Sequence, residues 1–120
     1  MHNFRELKIW KDSMELAKQT LKTTKKYPLQ ERYSLVSQMN RAAISIPSNI
    51  AEGSARKSNK EFSQYLRIAL GSAFELETQI IISYESGYLK EENYKELIGK
   101  INSNQKMING FLKTVEIKLN

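Results

Sequence analysis

The chain contains 120 residues, of which 40% are hydrophobic and 27% are charged, and this composition predicts one globular domain over residues 1–120 rather than a disordered chain. It has no cysteine, so disulfide bonds, thiolate nucleophiles and thiolate metal sites are excluded. The net charge of +6 is uneven, with seven basic and three acidic side chains in residues 1–26 but two basic and four acidic ones in residues 58–89.

The charge asymmetry has three explanations. The two segments attract each other within the fold, the first presents a basic outer face to a polyanion, or the charges form only an ordinary soluble surface. The N-terminus is charged where a signal peptide needs an apolar core, and no apolar run approaches the length of a membrane span. We therefore expect a cytoplasmic protein that binds no membrane.

The first predicted helix covers residues 4–25 and carries one apolar stripe. The stripe consists of residues spaced three or four apart: Phe4, Leu7, Trp10, Met14, Ala17 and Leu21. We expect Trp10 to anchor the core or a subunit interface, with base stacking as the alternative role. Pro28 ends the helix, because Tyr27 before it is pushed out of the helical conformation.

The second predicted helix begins between Leu29 and Arg32 and contains Pro47. Because proline lacks an N–H and its ring presses on the preceding turn, we expect a kink there. Apolar residues continue on the same face as far as Ile50, which favours one kinked helix over two separate pieces. Gly53 is predicted to end this helix.

The polar side chains around the kink are predicted to be structural rather than to contact a ligand. Ser48, Asn49 and Glu52 would satisfy the backbone groups that the proline frees. They would also anchor a nearby arginine, either Arg41 or Arg56.

A capping box opens the third predicted helix, with the Ser58 hydroxyl accepting from the Glu61 N–H. The helix runs to about residue 86, and its apolar surface is wide enough to face the core on one side and a second surface on the other. Gly71 lies in its middle, where glycine costs about 1 kcal/mol relative to alanine. We therefore expect close contact there with a neighbouring helix. Gly87 is a typical C-terminal stop.

The fourth predicted helix covers residues 90–119 and ends at Leu119. Its apolar stripe is interrupted at residues 102–106, Asn-Ser-Asn-Gln-Lys, which either overhang the edge of the fold or face polar partners. Four helices with short connections predict an all-α, up-down-up-down antiparallel four-helix bundle in which helix 2 is kinked at Pro47.

No set of residues forms a recognisable catalytic, cofactor or metal site. His2 is the sole histidine and lies at a terminus that we expect to fray, so imidazole catalysis and metal ligation are not expected. Glu75 on helix 3 is predicted to pair with Arg41 or Arg67 in a buried or subunit-interface ion pair, which serves specificity of packing more than stability. The alternative is that Glu75 and Glu77 are solvated.

The central motif and its surroundings resemble a known family. The match includes the Asn-Ile-Ala-Glu-Gly core that begins at Asn49, and it covers almost the whole chain through residues 4–10, 31–35, 41–53, 65–69, 71–72 and 75–79. The chain resembles the four-helix-bundle proteins encoded within intervening sequences of bacterial 23S ribosomal RNA. Asn40 departs from the family pattern, which has a second arginine beside the position of Arg41, and so an arginine pair that grips phosphate is not expected.

The resemblance implies a small cytoplasmic bundle that assembles as a ring-shaped homopentamer. It also implies relatedness to the basic, barrel-shaped accessory protein of diversity-generating retroelements, which works with a reverse transcriptase and nucleic acid. It brings no catalytic residues.

Two functions follow from these observations. The first is a homo-oligomeric bundle that binds RNA or another nucleic acid through phosphate contacts. Its candidate contact residues are Arg5, Lys8, Lys11, Lys18, Lys22, Arg56 and Lys57. The alternative is a non-catalytic scaffold that binds a protein partner or itself through its wide apolar faces, without nucleic acid. We do not expect an enzyme, because the elements of a catalytic site are missing.

Overall fold

The computed structural model describes residues 3–118, which form helices and no strands. The long α-helices are α1 (Lys8–Thr24), α2 (Ser37–Ser54), α3 (Asn59–Glu85) and α4 (Glu91–Ile117). A 3₁₀ turn precedes α1, and a 3₁₀ turn followed by a π-helical stretch (Arg32–Val36) leads into α2. The predicted positions of His2 and Leu119 lie outside the described residues.

The four helices pack into a bundle, as predicted. Both α1 and α3 contact α2 and α4. Side-chain contacts show the direction of neighbouring helices, because the residue number rises on one helix while it falls on the other. The contacts are Asp12–Asn104 and Gln19–Glu96 between α1 and α4, Arg67–Glu116 and Glu77–Gln105 between α3 and α4, and Met39–Ser83 and Ser45–Ser72 between α2 and α3. The helices joined by these contacts are therefore antiparallel, which is the arrangement that short connections between helices favour.

The buried face of α1 differs from the predicted stripe. The fully buried positions include Ser13 and Thr20, whose hydroxyls donate to the carbonyls of Ile9 at 2.6 Å and Leu16 at 2.8 Å. Because each hydroxyl is satisfied within its own helix, it can enter the core without an unpaired polar group. Of the predicted stripe, Ala17 is buried in the core, whereas Trp10, Met14 and Leu21 are only half-buried at its side.

Pro47 lies inside α2, which continues past it to Ser54. The Asn49 side-chain amide donates to the Ser45 carbonyl at 2.8 Å and to the Ser45 hydroxyl at 2.9 Å. The carbonyl that proline leaves without its helical donor belongs to Ala43, four residues earlier. Asn49 therefore satisfies a neighbouring carbonyl rather than the freed one, and the kink at Pro47 stays a prediction.

The roles predicted for two glycines are wrong. Gly53 does not stop α2, because it lies inside the helix with an ordinary negative φ and is buried against α3. Gly71 is exposed, and a Cβ added there would meet no atom within 4 Å, so this glycine serves no close contact inside the chain. The helix stop predicted at Gly87 is confirmed, since it follows α3 with a φ of 85°.

The predicted start of α3 is confirmed. The Ser58 hydroxyl accepts from the Glu61 N–H at 3.1 Å, and it also lies 3.2 Å from the Glu61 carboxylate, to which it donates. These contacts satisfy a backbone donor that the first helical turn leaves free and hold the side chains of the cap together.

The polar interruption of α4 faces polar partners inside the bundle. Asn104 is fully buried and donates to the Asp12 carboxylate at 2.8 Å and to the Ser13 hydroxyl at 3.0 Å. Gln105 donates to the Glu77 carboxylate at 2.8 Å. Asn104 and Gln105 therefore connect α4 to α1 and α3, whereas Ser103 and Lys106 of the same stretch are exposed.

Candidate nucleic-acid interface

A row of lysines follows the outer surface of α1. Lys8, Lys11, Lys18 and Lys22 are all exposed, and their spacings of three, seven and four residues place them on one side of the helix. At 1.5 Å per residue the row is about 21 Å long. Lys25 is also exposed and extends the same side by one turn, although the sequence analysis did not include it among the candidates. We call these five lysines the α1 lysine face.

The charge of the α1 lysine face is mostly unopposed. Lys18 forms an ion pair with Glu15 at 2.9 Å, and the hydrogen bond and charge of this lysine lower the pKa of the Glu15 carboxyl. The nearby Asp12 carboxylate accepts from Asn104 on α4. No ion pair involves the other four lysines of the face in the part of the chain that the structure describes, so they are available to an anionic ligand.

Arg5 and Lys57 lie exposed outside the long helices. The Arg5 guanidinium is 5.1 Å from the centre of the Phe4 ring, and Phe4 in turn packs edge-to-face on Trp10, with ring centres 5.2 Å apart. Arg5 is therefore held beside the start of α1. Lys57 lies in the turn that follows α2. Because Met14 of α1 and the second half of α2 line one groove, this turn lies at the same end of the bundle as Arg5 and the start of α1.

Arg56 is tied into a cluster of its own. Its guanidinium donates to the Glu52 carboxylate at 3.0 Å and to the Tyr65 hydroxyl at 2.7 Å, and it lies 4.8 Å from the centre of the Tyr65 ring. The cluster joins the end of α2 to the start of α3. The prediction that Glu52 anchors an arginine is confirmed for Arg56, whose Nη2 group makes both hydrogen bonds, while its buried Nε–H has no hydrogen-bond partner among the described residues.

The predicted ion pair of Glu75 does not form within one chain, and its subunit-interface alternative stays a prediction. Arg41 and Glu75 line the same cavity of about 420 Å³ between α2 and α3, but both are exposed and no ion pair joins them. Arg67 instead pairs with Glu116 on α4. Positions 67 and 75 point to different sides of α3, since eight residues turn the helix by about 80° beyond two full turns. Glu77 has a polar partner, Gln105.

Two apolar surfaces stay exposed on the first three long helices of the described chain, one of them on α3. Ile68 and Phe74 are each 52% exposed and Ile82 is 47% exposed. The other is a groove of about 350 Å³ between α1 and α2. It is lined mainly by the half-buried stripe of α1 and the facing side of α2: Trp10, Met14, Ala17, Leu21, Ile44, Pro47 and Ala51. Helical periodicity predicted a second surface on α3 but not the groove.

Among residues 3–118, no group of three or more histidine, aspartate or glutamate side chains is placed to hold a metal ion. None of the helices in this range has the length and apolar character that crossing a membrane requires.

Comparisons with known proteins agree with the bundle fold. The family described as 23S rRNA-intervening sequence protein matches residues 5–110. Among solved structures, the chain is similar to a protein of unknown function from the S23 ribosomal protein family of Bacteroides thetaiotaomicron, with 24% identity and a TM-score of 0.81. The similarity covers 88% of this chain and 95% of that one, and at this identity it supports the fold alone. No curated protein matches the chain.

Proposed function

The chain belongs to the family of 23S rRNA-intervening sequence proteins, and from this membership we propose that it is a self-associating, non-catalytic bundle that binds RNA through the α1 lysine face. The single observation that carries the proposal is the row of exposed lysines, of which only Lys18 has an acidic partner within residues 3–118. Its length of about 21 Å is enough to contact several successive phosphates.

The binding is electrostatic. Each lysine that neutralises a phosphate releases a counterion, so affinity falls as salt rises and depends little on base sequence. Arg5 and Lys57 extend the contact beyond the helix. Arg56 contributes less, since its Nη2 group already donates to Glu52 and Tyr65. The lack of cysteine suits a reducing cytoplasm, where we place this function.

Self-association forms the second part of the proposal. The expected assembly is a homo-oligomer, with the pentamer implied by the sequence resemblance as its expected size. Its support is the exposed apolar surface of α3 together with the groove between α1 and α2, because large contiguous apolar surfaces on soluble proteins mark interaction sites.

The test compares three proteins by fluorescence anisotropy with a labelled single-stranded RNA at several salt concentrations. The first is the natural chain and the second carries Lys8→Ala, Lys11→Ala and Lys22→Ala. The third is a control of equal charge that replaces three exposed lysines elsewhere: Lys90→Ala, Lys106→Ala and Lys113→Ala.

We expect the natural chain to bind RNA at low salt and the control to bind equally well. Loss of three phosphate contacts should reduce the slope of log affinity against log salt by about 2 in the α1 variant. The proposal fails if the natural chain does not bind, or if the α1 variant and the control lose affinity equally. Failure to bind would leave the scaffold alternative, which the exposed apolar residues of α3 favour.

A further inference from the structure

A cavity opens at the end of α1, where the α1 lysine face also ends. Its volume is about 390 Å³, which is in the range of protein sites that hold small organic ligands. The last turns of α1, the turn at Pro28, the π-helical stretch (Arg32–Val36) and the first turn of α2 all contribute to its lining. Because π-helical turns are rare and occur often at functional sites, we treat this cavity as a candidate binding site. We call it the α1-end cavity.

Apolar and aromatic residues form much of the lining of the α1-end cavity. They are Leu21, Tyr27, Pro28, Leu29 and Val36. Leu29 is 78% exposed, so most of its side chain faces water. A flat aromatic ligand would cover these side chains and would gain free energy by removing apolar surface from water.

Asn40 adds one amide to this lining. Its Oδ1 accepts from the buried Thr24 hydroxyl at 2.8 Å, which holds the amide in place. An amide has two N–H donors and two acceptor lone pairs, so both donors and one lone pair stay free within residues 3–118. An asparagine amide with a free donor and a free acceptor pairs with N7 and the N6 amino group of adenine, whereas guanine presents two acceptors at the same edge.

The edge of the cavity is positively charged. Lys25 and Arg32 line it, both are exposed, and neither forms an ion pair with the residues that the structure describes. No acidic residue is among the described residues that line it. The carboxylate of Glu31, next to Arg32, already accepts from Ser34 at 2.9 Å and from Tyr88 at 3.0 Å. The two cations are therefore available to a phosphate, which a guanidinium binds with two parallel hydrogen bonds.

We propose that the α1-end cavity binds an unpaired adenine nucleotide of the RNA. The base lies against the apolar side chains, the Asn40 amide pairs with its N6 and N7 atoms, and Lys25 and Arg32 hold its phosphate. This inference rests on the proposed function, because Lys25 is also the last member of the α1 lysine face, so a strand that follows the face reaches the cavity. The lysines supply affinity that depends little on sequence, and the cavity adds selection for one unstacked base.

The first measurement uses adenosine monophosphate alone, since a mononucleotide can fill the cavity without following the lysine row. We expect the NMR signals of the Asn40 side-chain amide to shift with adenosine monophosphate and much less with guanosine monophosphate. Arg32→Ala should weaken binding by about fivefold or more, because a charged hydrogen bond to the phosphate is lost. Arg41→Ala is the matched control, since Arg41 is also exposed, has no ion pair within residues 3–118 and lines a different cavity.

The second measurement uses fluorescence anisotropy with a short labelled oligouridine whose central nucleotide is uridine, adenosine or guanosine. The adenosine oligonucleotide should bind about fivefold or more tightly than the other two. Asn40→Ala should abolish this preference and keep the affinity for oligouridine. Asn102→Ala, at a half-buried position on α4, is the control and should keep the preference. Circular dichroism checks that each variant remains helical.

Equal affinities for the three oligonucleotides would overturn the inference, as would an unchanged preference in Asn40→Ala or equal NMR shifts with the two mononucleotides. Should Asn40→Ala lose its helical signal, Arg32→Ala decides at an exposed position, and undiminished binding of adenosine monophosphate by that variant would overturn the inference. Oligouridine that binds without any preference for adenosine would contradict the cavity alone. Selective binding of adenosine monophosphate without binding of oligouridine would support the cavity and contradict the function proposed for the α1 lysine face.

Discussion

A Cβ atom placed on Gly53 would lie 2.5 Å from the Cβ of Tyr65, closer than two side-chain carbons approach in proteins. The end of α2 is therefore in direct contact with the first turns of α3. This contact also brings the Tyr65 hydroxyl within 2.7 Å of Arg56, so the glycine and the polar cluster depend on one another. The helix stop that the sequence predicted at Gly53 is replaced by a packing role.

Gly53→Ala should destabilise the bundle. The added methyl group overlaps Tyr65 and the Phe62 ring, and overpacking of this kind costs about 1 to 3 kcal/mol, more than alanine gains in helix propensity. The control is Gly99→Ala on α4, where nothing lies within 4 Å and stability should rise by up to about 1 kcal/mol. Urea unfolding at one fixed protein concentration compares the two, and a shift of both in the same direction would contradict the packing role.

Local features were predictable from the sequence because their causes lie within a few residues. The capping box joins Ser58 to Glu61, three residues apart, and Gly87 supplies a backbone conformation that other residues rarely adopt. The wide apolar surface of α3 followed from helical periodicity, and the exposed Phe74 is part of it, but the exposed Ile68 and Ile82 were not predicted.

Features that depend on distant residues could not be predicted. The partner of Arg67 is Glu116, 49 residues away, and no local pattern selects it over Glu75. The buried side of α1 was misjudged because Ser13 and Thr20 count as polar in the sequence, yet their hydroxyls are satisfied by their own helix. Most of the α1 lysine face was found, since exposed charges at helical spacing need no knowledge of the packing.

Asn104→Ala should lower the free energy of unfolding by about 2 to 3 kcal/mol. The substitution removes two hydrogen bonds across the interface of α1 and α4 and leaves a small cavity at a fully buried position. Asn109→Ala is the control, because Asn109 is exposed on the same helix and should change stability by at most about 0.5 kcal/mol. Equal effects in thermal or urea unfolding would show that Asn104 does not connect the helices.

Tyr27→Phe should reduce the loss of stability at alkaline pH. Tyr27 is 6% exposed, and burial raises the pKa of this phenol, an effect that the neighbouring Ser83 hydroxyl partly offsets without making a well-formed hydrogen bond to it. Because the pKa of this phenol is higher in the folded state, its neutral form contributes to the free energy of unfolding. This contribution is complete below the unfolded pKa of about 10 and is lost as pH rises through the folded pKa. Removing an unpaired buried hydroxyl should leave stability at pH 7 unchanged or about 1 kcal/mol higher.

Tyr88→Phe should, unlike Tyr27→Phe, lower the stability of the fold at pH 7. Tyr88 donates a hydrogen bond to the Glu31 carboxylate at 3.0 Å, and this bond is the main reason that the pKa of Tyr88 is raised. Its replacement should also weaken the alkaline loss, but stability at pH 7 should fall because a hydrogen bond is removed. Urea unfolding at pH 7 and at about pH 10.5 distinguishes the two, and a large loss for Tyr27→Phe at pH 7 would show that its hydroxyl is bonded.

The last prediction concerns Arg56, whose sequence position suggested a phosphate contact. Its guanidinium is shared between Glu52 and Tyr65, so Arg56→Ala should lower the free energy of unfolding by about 1 kcal/mol, a modest value because the pair is partly exposed. Arg56→Lys should recover only part of this, since a lysine cannot donate in two directions from a planar group over the Tyr65 ring.

A double-mutant cycle of Arg56→Ala with Tyr65→Phe should give a coupling energy of about 0.5 kcal/mol or more, because both side chains belong to one cluster. The same Arg56→Ala variant should reduce RNA affinity less than Lys11→Ala does, since the arginine is already engaged within the chain. Additive unfolding energies together with a large loss of RNA affinity would instead place Arg56 at the RNA surface, where it would extend the α1 lysine face towards Lys57.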